Sequence, residues 1–139
     1  MENRQNYNQQ LMQFRYLKDQ RDMLSNQLEM LNASYNSLRT SKTTLENLKD
    51  VKKGDEILVP VGGNLNIKAN IQDPDEVLFY VSDDTVIEKS IDGSIENLDT
   101  LLEQHEEQMN RLQESIQQVD ARLQAMSAQL QRGYQNVQQ

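Results

Sequence analysis

Hydrophobic residues recur every seven positions in two long stretches of nearly equal length, one on each side of a short middle segment. In the first, Leu17, Leu24, Leu31, Leu38 and Leu45 hold one register, while Phe14, Leu28 and Tyr35 hold a second, three residues ahead of a leucine. In the second, Ile91, Leu98, His105, Leu112, Val119, Met126 and Gly133 share one register, and Ile95, Leu102, Met109, Ile116, Leu123, Leu130 and Val137 share the other. Twelve of these fourteen positions are apolar in a chain that is only 36% hydrophobic. A 3.5-residue period winds a narrow apolar seam around a partner helix, which specifies a coiled coil. Each stretch is the other's obvious partner.

Composition limits the alternatives. At 139 residues with 5% aromatics and no Trp, the chain has little to build a large compact core. Its net charge of -8 argues against a nucleic-acid partner. No run approaches the ~20 apolar residues of a membrane span, and the first residues lead into no apolar signal region, so a soluble intracellular (cytoplasmic) protein is expected. Without cysteine there is no disulfide framework. Residues 1–53 carry nine Lys/Arg against six Asp/Glu, and residues 90–139 carry three against eight. Side by side, a mildly basic helix would meet an acidic one, which biases partner and orientation more than it stabilises.

Three segments follow: residues 1–53 and 90–139 as coiled-coil helices, and 54–89 between them. From Asn6 to Leu48 there is neither Pro nor Gly, and the good helix formers Gln, Leu, Met, Glu and Arg dominate. The rise of 1.5 Å per residue makes this helix roughly 65 Å long and the second about 70 Å. Ser90 suits the N-cap of the second helix, with Asp92 or Ser94 as alternatives, and Gly93 weakens its first turn.

In the middle the period changes to two. Leu65, Ile67, Ala69 and Ile71 alternate with polar residues, Ile57–Val61 precedes them, and Gly62-Gly63 marks the turn. Pro60 places the earlier strand at an edge or its end. After Asp73-Pro74-Asp75, the runs 77–81 and 85–89 form a second hairpin around Ser82-Asp83-Asp84. The expected fold class is therefore α+β, a long antiparallel coiled-coil hairpin with two central β-hairpins. Two isolated hairpins are too little sheet to be stable, and their Val- and Ile-rich edges invite pairing with other chains. Ile57, Val59, Leu65, Ile67, Ile71, Val77, Phe79 and Val86 are the expected oligomer interface, in a homo- or hetero-oligomer.

Gly54-Asp55-Glu56-Ile57-Leu58-Val59-Pro60-Val61-Gly62, then Ile67-Lys68-Ala69, Asp73, Val77-Leu78 and Val86-Ile87-Glu88-Lys89, resemble the central segment of the prefoldin alpha subunit family. The order helix, two hairpins, helix is similar throughout. Ser82-Asp83-Asp84 departs from the glycines common there. The resemblance implies an archaeal-type hetero-hexamer of two alpha and four beta subunits, whose hairpins form a β-barrel platform. It also implies a chaperone that binds unfolded proteins at the coiled-coil tips and delivers them to a group II chaperonin, with no nucleotide or other cofactor.

The ends can also be read from the residues. An antiparallel helix pair brings both termini together, so Tyr7, Leu11, Met12, Phe14 and Tyr16 approach Met126, Leu130, Tyr134 and Val137. Met and Tyr make an adaptable apolar surface for varied partners; the plainer reading is seam packing with frayed ends. His105 lies on a seam position without a second metal ligand near it, so burial or partial burial in the coil is the expectation. Asp73, Asp75, Asp83 and Asp84 lack the spacing of a calcium loop and read as solvated turns. Arg21 interrupts the first seam and either faces Asp120 across the pair or lies along the surface. No nucleophile set, phosphate loop or tuned carboxylate pair points to an enzyme. Two other readings remain: a coiled-coil scaffold or tether with one defined partner, and a nucleic-acid-binding helical hairpin cut from an enzyme, which lacks the basic face it needs.

Overall fold

The structure, a computed structural model, describes residues 2–138, with the side chains of Glu2 and Val137 outside the described set. Helix α1 runs over Glu2–Leu48, followed by strands β1 (Glu56–Gly62), β2 (Leu65–Asn70), β3 (Glu76–Ser82) and β4 (Thr85–Ser90), then helix α2 over Ile91–Gln138. The expected α+β fold of two long helices and two hairpins is what forms. No helix among the described residues is long and apolar enough to cross a membrane. The chain divides into two compact units, one from residues up to Ser34 and from His105 onward, the other Tyr35–Gln104.

In the first unit, α1 and α2 pair antiparallel. Tyr7 lies against Tyr134, Arg21 Nε donates to Asp120 Oδ1 at 2.9 Å, and Ser34 Oγ is 3.1 Å from His105 Nε2. Arg21 therefore faces Asp120, and His105 sits half-buried on the seam. No described residue of this unit is fully buried, because two helices alone leave the flanks of every seam side chain open.

The second unit holds what core there is: Ile91, Leu98, Leu102 and, among polar residues, Ser94. Here Lys42 reaches Asp99 at 2.6 Å and Lys49 reaches Asp92 at 2.7 Å. In these pairs, as in Arg21–Asp120, the base comes from α1 and the acid from α2, the sense that the charge asymmetry of the sequence dictates. Helix α1 ends as Lys49, Asp50 and Val51 N–H groups turn to carbonyls three residues back. Lys52 N–H then donates to Asp55 Oδ2 at 2.9 Å, and Gly54 takes φ +90, open to glycine at little cost.

The two hairpins repeat one another at an offset of 20 residues. Each is a separate antiparallel pair, with a register shift between Pro60 and Gly62 in one and between Tyr80 and Ser82 in the other. Their burial patterns are identical strand for strand, alternating in the first half of β1 and β3. Ile71 N–H donates to Asp55 O, and Ile91 N–H donates to Asp75 O, again 20 residues apart. Charge breaks the repeat. Lys68 lies 3.7 Å from Glu56 in the first hairpin, whereas the matching positions of the second are Glu88 and Glu76. Repulsion from Glu88 first, then from Asp73, pushes the Glu76 carboxyl above its ordinary value. A raised carboxyl pKa means that the folded hairpin holds its proton more tightly than the unfolded chain. The repulsion thus destabilises at neutral pH and is relieved as pH falls through that raised pKa. Glu88→Lys recreates the ion pair of the first hairpin. It should slow amide exchange in β3 and β4 at neutral pH and abolish the gain in protection that acid gives the parent.

Ser90 ends β4 and caps α2 at once, its Oγ accepting the Gly93 N–H at 3.1 Å. A Cβ at Gly93 would fall 2.9 Å from that oxygen, so the glycine makes room for the cap. Ser90→Ala should cost about 1 kcal/mol in denaturant unfolding and Ser90→Asp much less.

Candidate binding surfaces

At the first turns of α1 and the last turns of α2, the helix pair opens into an apolar groove of about 420 Å³. Tyr7, Leu11 and Phe14 form one wall, and Leu130 and Tyr134 the other, with Ser127, Gln131 and Gln135 at the margin. The seam period explains Tyr7, Phe14 and Leu130, whose side chains point inward but remain half-buried because the pair has no third layer. Leu11 lies one turn from Tyr7 on the groove side and is also half-buried. The rings of Tyr7 and Tyr134 stand 6.4 Å apart at 46°, a favourable tilted arrangement. Gly133 permits it, since a Cβ there would sit 3.3 Å from the Tyr7 ring. The other side of this closure is lined mainly by amides: Asn3, Asn6, Gln10, Gln129 and Asn136. One end of the helix pair thus offers an apolar face and an amide face, divided by Tyr7.

Of the residues expected at the ends, the structure brings five together. Met12 and Tyr16 are exposed but lie outside the groove, and Met126 is half-buried on the seam. The Val137 side chain lies outside the described residues. Period reasoning about the seam passed over Met23 and Met30, which are exposed on α1 and spaced at seven residues from Tyr16.

The hairpins form the second surface. Ile57, Val59, Ile71, Val77 and Phe79 are half-buried within their own unit, where Lys89 Nζ also lies 5.6 Å from the Phe79 ring centre. Leu65, Ile67 and Val86 are exposed, and with them Leu58, Val61, Leu78, Tyr80, Val81 and Ile87, which the expected interface does not include. In the second hairpin both faces therefore carry apolar residues, whereas in the first the face of Leu58 is shared with Asn66, Lys68 and Asn70. A groove beside β3, lined by Thr44, Leu45, Val77, Phe79, Ser94 and Leu98 among others, adds about 380 Å³ of open apolar space. Ser94 Oγ is buried there with no hydrogen-bond partner.

The family model described as "Prefoldin subunit" matches residues 17–136. The chain belongs to the prefoldin family. Prefoldin subunits are chaperone components rather than enzymes, and they assemble with one another. The chain is 29% identical to the prefoldin subunit alpha of Methanobrevibacter smithii, over 95% of its own length and 90% of that protein. It is 31% identical to the prefoldin subunit alpha of Pyrococcus horikoshii, covering 75% of this chain and 71% of the relative. Among solved structures, a filamentous PFD from Methanocaldococcus jannaschii superposes with a TM-score of 0.71 at 23% identity, covering 83% of this chain and 95% of that one, a likeness of fold.

Proposed function

We propose that this prefoldin subunit holds non-native polypeptides in the apolar groove at the paired helix ends, without nucleotide, and hands them to a group II chaperonin in the cytoplasm. The observation that carries this reading is the groove of Tyr7, Leu11, Phe14, Leu130 and Tyr134: open, apolar, and covered by none of the described residues. Tyrosines with wet hydroxyls and apolar faces suit partners of varied sequence. Capture and release need only binding energy, so the function requires no cofactor.

The partners are prefoldin beta subunits, four to two copies of this chain, and the hairpins are where they meet. Strands exposed on both faces and along their edges gain the missing layer when several hairpins close into a barrel, which also removes the edges. A partner side chain filling the groove beside β3 would supply the Ser94 hydroxyl with its hydrogen bond.

The test dilutes several unrelated denatured proteins into buffer containing the assembled complex, without ATP, and follows light scattering. Protection of most of them is the expected result. One tight, specific partner and no general protection would instead make the chain a tether.

A further inference from the structure

Met12, Tyr16, Met23 and Met30 are 70%, 64%, 54% and 68% exposed. Tyr16, Met23 and Met30 repeat at seven residues and so share one row of α1, and Met12 lies one turn before Tyr16 on the same side. The row faces away from the seam, whose residues in this stretch are all half-buried. Among the described residues of α2, Tyr134 is the one large apolar side chain so exposed. The apolar outer row thus belongs to α1.

We infer that this row is a docking strip for helix-forming apolar segments of non-native polypeptides, engaged together with the groove. The inference rests on reading that groove as a holding site. Spacing identifies the occupant. Seven helical residues advance about 10.5 Å, which matches the seven-residue apolar spacing of a second helix laid alongside. An extended chain presents same-face side chains every ~6.6 Å and falls out of step. A helix laid along this row meets Tyr16, Gln20, Met23, Gln27 and Met30 in turn, alternating apolar and amide layers. Gln20 Nε2 donates to the Tyr16 hydroxyl at 3.2 Å, so its amide already reaches the tip of that ring.

Charge and area agree. Over residues 12–30, with Arg21 taken up by Asp120 on the seam, Arg15 and Lys18 nearly balance Asp19, Asp22 and Glu29, whereas the whole chain carries -8. A nearly neutral strip repels acidic and basic clients only weakly. Four such side chains offer on the order of 500 Å², below the ~800 Å² that each partner of a stable complex commits. That area suits a transient client helix better than a permanent subunit contact. The strip begins at Met12, next to Leu11 of the groove, so one client can engage both, and linked weak sites strengthen one another.

The test uses the full chain in its native oligomer, with Gln27 replaced by a photocrosslinking residue. The probe is a labelled peptide of about 20 residues, long enough to form a helix, with leucines at seven-residue coiled-coil spacing, against a scrambled peptide of equal composition. Crosslinking of the first and not the second is expected. Met23→Gln with Met30→Gln should weaken peptide binding about five- to tenfold, since two apolar contacts are lost. Light scattering with a denatured client separates the two readings. If the parent complex suppresses no aggregation, the holding function itself fails. If the parent protects and the double variant protects and binds peptide equally well, only the strip fails. A change in oligomer mass on Met23→Gln with Met30→Gln would make the row a subunit contact and overturn the inference.

Discussion

Replacing Ile67 or Val86 by aspartate should leave the helices folded and break the oligomer apart. In the single chain Ile67 is 53% and Val86 41% exposed, so a carboxylate at either position keeps much of its water and costs the subunit little. Ile67 stands opposite Val59 on one face of the first hairpin, and Val86 stands opposite Tyr80 on a face of the second. If these faces meet other subunits, assembly strips the new charge of water without supplying a partner. An unpaired charge at such an interface costs about 3 kcal/mol or more, roughly a hundredfold in the dissociation constant for each site affected. The control is Asn66→Asp, which matches Val86 across the 20-residue repeat, where the first hairpin is already polar. Far-UV circular dichroism should superpose for all forms, while sedimentation velocity shows smaller species for Ile67→Asp and Val86→Asp. If both variants sediment as the intact complex, the shared-sheet account of the hairpins is wrong.

The helices and hairpins were legible because each announces itself by period. Leu17 to Leu45 can only be a seam, and Ile67 to Ile71 only a strand. Arg21 opposite Asp120 follows once an antiparallel pair is assumed, since seam spacing fixes which turns meet. The 20-residue repeat was not legible, although it governs the hairpins. Matching positions hold Pro60 and Tyr80, Gly62 and Ser82, Lys68 and Glu88, so sequence similarity is lost where the strand pairing is kept, even though the positive φ of Gly62 has no counterpart at Ser82. The groove was half legible. Period finds Tyr7, Phe14 and Leu130, but the approach of Tyr7 to Tyr134 depends on the missing side chain at Gly133, a packing fact that spacing does not carry. Met23 and Met30 were passed over for a different reason. Outward positions of a coiled coil are unconstrained by the seam, so an apolar residue there reads as solvated unless the outer face is searched for its own period.

Removing residues 1–14 and 126–139 together should leave the oligomer assembled and abolish the holding of denatured proteins. Each deletion takes about 20 Å of helix by the helical rise. All the deleted residues belong to the first compact unit, and the hairpins with Ile91, Leu98 and Leu102 beneath them are untouched. The loss includes every residue that lines the apolar groove: Tyr7, Leu11, Phe14, Leu130 and Tyr134 with its margin. What is left on α1, the row of Tyr16, Met23 and Met30, is interrupted by amides and too small to hold a client unaided. Removing residues 1–14 alone leaves Leu130 and Tyr134 as a single wall, and removing residues 126–139 alone leaves Tyr7, Leu11 and Phe14. Either single deletion should therefore weaken protection partially, if several helix ends act together on one client, since linked weak sites add to one another's strength. The measurement is light scattering of a denatured protein diluted into buffer with the intact, singly or doubly truncated complex, after sedimentation has confirmed equal mass per assembly apart from the deletion. Protection by the doubly truncated complex equal to that of the parent would move the binding surface away from the groove and sink this mechanism.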